Sequence, residues 1–125
     1  MRVLITGSRA GTPEMIKAGA ELIAKHLPSD VRHTVVHGAA RGFDKVGPYL
    51  DQHFENFTHE AHPAKWDTYG RRAGPIRNQE MVNLGADVCY AFKIDGVVAK
   101  GTEHCAQAAL KAGIKVVKVT FPSEG

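Results

Sequence analysis

Apolar residues recur along this chain in two rhythms. Short β-branched runs, from Arg2 to Thr6 (RVLIT), His33 to His37 (HTVVH), Asp87 to Phe92 (DVCYAF) and Ile114 to Val119 (IKVVKV), read as buried strands. Phe57 to His62 is a weaker strand candidate. Between them the spacing lengthens to a helical one. Ile16, Ala20, Ile23 and Leu27 share one helical face behind Thr12, an N-cap, and Pro13 at the first helical position, and Pro28 stops that helix. Val46, Leu50 and Phe54 then recur every four residues, with Pro48 compatible only with a first turn. Pro75 opens a third helix that runs to Gly85, and Thr102 caps a fourth that runs through Ala112 to Gly113. The segment between His62 and Pro75 reads as a long loop.

Strands and helices therefore alternate from end to end. Short apolar strands separated by helices imply an α/β fold, a single domain with a mostly parallel sheet of about five strands covered by helices on both faces. Its 125 residues suffice for one core. In such a sheet a ligand sits beyond the carboxyl ends of the strands, where the strand order reverses.

Four segments fall at such ends: GSR at 7–9, GAARGFD at 38–44, WDTYGRRAGPIRN at 66–78 and DGVVAKGTE at 95–103. Each combines glycine with a cation, a hydroxyl or a helix start. Glycine admits close backbone approach, and the free N–H groups of a helix start attract anions. Each loop taken singly is equally a plain turn; their repetition is the functional signal. Neither GxxxxGK[ST] nor GxGxxG is present, so neither P-loop hydrolysis nor ordinary dinucleotide binding has local support. Placing Arg77 in the first turn of a helix opened by Pro75 sets a cation against the helix dipole, and a bound phosphate or carboxylate would relieve that conflict. Trp66 and Tyr69 could stack on a planar ligand or cover a core edge.

Charge adds little to this picture. Sixteen Lys and Arg against thirteen Asp and Glu leave +3, too mild to indicate nucleic acid. Cys89 and Cys105 lie in apolar segments without a CxxC pattern, as buried reduced thiols do. The histidines form no convincing metal site: His59 and His62 would point to opposite faces of a strand, and His33 and His37 lack a third ligand. No cofactor is expected. The apolar run at the N-terminus is too short for a signal peptide or a membrane span, so a cytoplasmic location is expected.

Taken together and in order, ITGSR, HGAARGFD, W..YGRRAGPIRNQEM and GT before a final helix resemble the YspA-type branch of the SLOG superfamily, a group common in bacteria and their phages. The resemblance extends from Val3 to about Val119. It implies a Rossmann-like domain holding a nucleotide or nucleotide-derived ligand, and homodimers are common among such relatives. Broader members include the Lonely guy phosphoribohydrolases, which release a base from a nucleoside 5′-monophosphate, and the DNA-processing protein A fold, which binds single-stranded DNA.

Three functions follow from the resemblance. In a binding module, Gly7, Ser8, Arg9, Gly38, Ala39, Arg41, Gly42, Gly101 and Thr102 would hold phosphate and ribose. Asp44 would take a ribose hydroxyl or fix Arg41, Trp66 or Tyr69 would cover the base, and Arg72 and Asn78 would complete the site. In a hydrolase, Arg77 matches the arginine of the phosphoribohydrolases' RKxxM-like stretch. Their acid lies two residues after the threonine of GGxGT, where this chain has His104. Glu103, one position earlier, is about 100° away around a helix, and Asp44 is the other carboxylate available. The third reading, single-stranded DNA binding through Arg71, Arg72, Arg77 and Trp66, is the least supported by charge.

Overall fold

The computed structural model describes residues 1–123. Five strands form one all-parallel sheet: β1 (Arg2–Gly7), β2 (His33–His37), β3 (Phe57–Ala61), β4 (Val88–Ile94) and β5 (Lys115–Phe121). Their order across the sheet is β3-β2-β1-β4-β5. The helices are α1 (Pro13–His26), α2 (Val46–His53), a single turn α3 (Trp66–Tyr69), α4 (Ala73–Asn83) and α5 (Lys100–Lys111). The expected α/β architecture is thus present, including the weak third strand.

Alternate residues of the strands serve opposite faces. Val3 and Ile5 of β1 and Tyr90 and Phe92 of β4 pack with Met15, Ile16, Ala20 and Ile23 of α1 and with Val46 and Leu50 of α2. Leu4 and Cys89 face the other way, toward Met81 and Val82 of α4 and Cys105 and Ala109 of α5. Both cysteines are buried and free. Helix α1 starts as its residues predict: Thr12 Oγ1 accepts from the Met15 N–H at 3.3 Å, with Pro13 at the first helical position.

Several boundaries differ from the sequence reading, three of them near the strand ends where a ligand is expected. Much of the expected loop before Pro75 is helical, because α3 passes through a 3-10 turn (Gly70–Arg72) directly into α4. Pro75 is then the third residue of α4, where its missing N–H breaks no intrahelical bond. Arg77 consequently falls at the fifth residue, outside the first turn, and the supposed conflict with the helix dipole weakens. Likewise α5 begins at Lys100, so Thr102 is a buried first-turn residue; the N-cap is Ala99, which offers no side-chain oxygen. Strand β4 extends two residues past Phe92 to Ile94, paired with β5 throughout.

The histidines on β2 are core residues. His33 Nε2 donates to the Pro28 carbonyl at 2.9 Å and holds the chain as it leaves α1. His37 Nδ1 accepts from the Ala39 N–H at 3.0 Å, so its proton resides on Nε2 and is donated to His59 Nδ1 at 2.9 Å.

Candidate functional site

Strand order reverses between β1 and β4, and a cleft of about 630 Å³ opens there, at the carboxyl ends of the strands. Gly7, Ser8 and Arg9 leave β1 to form one wall, and Arg41 and Asp44 from the loop after β2 form the next. Arg77 and Asn78 of α4 and Gly101 and Thr102 of α5 complete it. Nine of the predicted site residues thus meet.

The loop after β2 is shaped for this position. Asp44 Oδ2 accepts two backbone N–H groups, from Gly38 and Ala40, each at 3.1 Å, and so folds the segment back on itself. Ala39 between them takes the left-handed conformation at φ 55°, uncommon for a residue with a β-carbon, and its N–H is the one held by His37. Gly42, at φ 77°, packs so tightly under the β1 loop that a β-carbon there would collide with the Ser8 carbonyl. This glycine therefore shapes the wall without lining the cleft.

Asp44 is almost fully buried, and burial pushes its carboxyl up from 3.8 to about 6. The Ala40 N–H, the Arg77 guanidinium, the Gly38 N–H and Arg9 oppose that rise. Burial likewise disfavours the charge on Arg77, and Asp44 is the main group favouring it. Arg77 is held on three sides: Nη1 donates to the Gly38 carbonyl at 2.5 Å and to the His62 carbonyl at 3.3 Å, and Nε donates to Asn78 Oδ1 at 2.9 Å. Asn78 in turn donates to the Gly101 carbonyl at 3.3 Å and ties α4 to α5. Among the described residues, none of Arg9, Arg41 and Arg77 forms a salt bridge at 4 Å or less.

The remaining predicted residues lie elsewhere. Gly38, Ala39 and Trp66 line a second cavity of about 390 Å³ beside the cleft. Trp66 is about half exposed, with the Arg9 guanidinium 5.7 Å from its ring centre. Tyr69 and Arg72 are exposed and line neither cavity. Glu103 lines a separate depression on the β5 side of α5 and is ion-paired with Lys93 there, which lowers its carboxyl. The acid nearest the expected family position thus does not line the cleft with Arg77; Asp44 does. The rotation of about 100° per helical residue explains the difference, because Thr102, one residue earlier, faces inward and is buried.

Sequence reasoning missed Lys100, whose position before Gly101 at the start of α5 was visible, and the apolar wall of Val97, Val98 and Met81. It also missed His37, whose role depends on a contact across two strands. Among the described residues no cluster of three metal-ligating side chains occurs, and no helix is long and apolar enough to cross a membrane.

No family model matches the chain, and no solved structure matches it. A curated relative does: the Gene 61 protein of Mycobacterium phage D29 is 43% identical over 120 residues, spanning 93% of this chain and 94% of that protein. At that identity and coverage, the chain belongs to the same family as the phage D29 Gene 61 protein.

Proposed function

We propose that this protein binds a nucleotide or nucleotide-derived ligand in the cleft between the β1 and β4 ends, as a sensor or sequestering module of SLOG type. One observation carries the reading. Arg9, Arg41 and Arg77 converge on a cleft in which Asp44 is the one carboxylate among the described residues, at the point where strand order reverses. The guanidiniums suit phosphate oxygens, and the carboxylate, with Oδ2 committed to the backbone, leaves Oδ1 for a sugar hydroxyl. A cleft of this volume falls in the range of about 300–1,000 Å³ that holds small organic ligands.

The test is native mass spectrometry of the protein isolated directly from cell lysate. A bound mass that fragments to a nucleobase supports the reading; buffer ions alone, with no binding to added nucleotides, overturn it. Arg41→Ala should weaken binding while leaving the melting temperature nearly unchanged, since Arg41 is exposed and makes no salt bridge among the described residues.

A second reading, an N-glycosidic hydrolase, is favoured by the raised carboxyl of Asp44 close to Arg77. A carboxyl near 6 can exchange a proton at neutral pH, which general acid–base catalysis requires. In that case Asp44, rather than Glu103, would be the acid or base, and Arg77 would stabilise negative charge. Release of free base from a panel of nucleoside 5′-monophosphates, abolished by Asp44→Asn, is the expected result; binding without turnover sinks it.

A further inference from the structure

The two cavities share a wall. Arg9, Ala40, Arg41 and Arg77 line both the larger cleft and the smaller cavity beside it, so the cations stand at a waist between two lobes. Beyond the shared residues, the larger lobe is lined by the apolar side chains of Val97, Val98 and Met81 and by Lys100 at the start of α5. On the other side, the smaller lobe ends on Pro63, Ala64 and the exposed ring of Trp66. Among the described residues, no carboxylate lines that smaller lobe.

A nucleoside monophosphate carries its charge at one end. With its phosphate at the waist it would fill one lobe and leave the other to water. A ligand whose charge lies between two groups, one of them uncharged, matches a smaller lobe whose lining beyond the arginines carries no charge. We propose that the ligand is a pyrophosphate diester, a nucleoside diphosphate whose β-phosphate bears a second, uncharged ring, with the pyrophosphate among the three arginines and one ring against Trp66. This rests on the nucleotide reading above and narrows it to a ligand class. The volume of about 390 Å³ is itself within the range that accommodates a small organic group.

The test is isothermal titration of the full chain with three series: the 5′-monophosphates of the four common ribonucleosides, their diphosphates, and ADP-ribose, GDP-mannose and UDP-glucose as diesters. At least one diester should bind about tenfold or more tightly than its matching monophosphate, the gain of one stacked ring. In Trp66→Ala that ratio should fall to near one. Because the same change frees Arg9, a second variant, Ala64→Phe, fills the smaller lobe without touching the tryptophan and should also collapse the ratio. Equal affinity for monophosphates and diesters overturns the inference and leaves the nucleotide reading standing, as does an equal loss for every ligand in Trp66→Ala. If no member of any series binds, both are overturned.

Discussion

The guanidinium of Arg77 occupies the space that a β-carbon at position 38 would need, and it donates to the carbonyl of the same residue, Gly38, at 2.5 Å. A backbone position on the loop after β2 and a side chain from α4 are therefore a single fitted unit. Gly38→Ala should displace Arg77 and weaken ligand binding about as much as Arg77→Ala does. Forcing extra volume into a packed site should also cost about 1–3 kcal/mol of stability, readable in a urea titration. Unchanged stability and binding in Gly38→Ala would show that the two residues are not coupled.

Asp44 and His37 give stability opposite dependences on pH. The Asp44 carboxyl is raised by folding from 3.8 to about 6, so its ionisation disfavours the native state and stability falls as pH rises through that window. The His37 imidazole is lowered from 6.5 to about 4 by burial and by repulsion from His59, His62 and Arg77. It must stay neutral to accept from Ala39, so stability rises with pH between about 4 and 6.5. Each effect is worth roughly 3 kcal/mol at most, from about 1.4 kcal/mol per tenfold change in proton affinity. Relative to the parent, Asp44→Asn should gain stability as pH rises from 4 to 6, and His37→Gln should lose it. Urea midpoints at pH 4.5 and 7 for the three proteins measure this; parallel pH curves would refute it.

Gly42→Ala addresses the β2 loop from beneath. Its φ of 77° strains any residue with a β-carbon, and that carbon would meet the Ser8 carbonyl. A loss exceeding about 1 kcal/mol is expected, more than the usual cost of a positive φ alone. Calorimetry should show a lowered melting temperature.

Asn78 joins two helices through a buried amide. In Asn78→Ala the Gly101 carbonyl and Arg77 Nε lose their shared partner. Loss of these two part-buried hydrogen bonds, one of them from a charged guanidinium, should lower stability by about 1–3 kcal/mol. Faster hydrogen exchange in the first turn of α5 would locate the effect; exchange confined to other regions would contradict it.

Much of this fold is legible in local patterns. The strand segments and the start of α1 depend on neighbours a few residues apart, and Thr12 caps its helix as its position predicts. What is not legible depends on contacts distant in sequence. Trp66 to Arg72 read as a loop because α3 has no buried residue and so no apolar period to reveal it. Loop composition brought Arg9, Arg41, Asp44 and Arg77 into one candidate site, but Glu103 was misdirected by a single residue of helical phase. His37 gave no signal as a site residue, because the tautomer that lets it hold Ala39 is set by its bond to His59, 22 positions away on the next strand. Lys100 was within reach: a cation at the start of a helix that borders a glycine loop.

The central place of β1 also sets the order in which this chain can be completed. Strand β1 pairs with β2 on one side and with β4 on the other, Val3 opposite Val88, and the Arg2 N–H reaches the Asp87 carboxylate 85 positions away. Until the ribosome has delivered residues 88–94, one backbone edge of β1 has no partner. Pairing so distant slows folding and leaves an adhesive edge exposed during synthesis. The crossing that creates the cleft thus makes β1 dependent on a strand synthesised more than 80 residues after it.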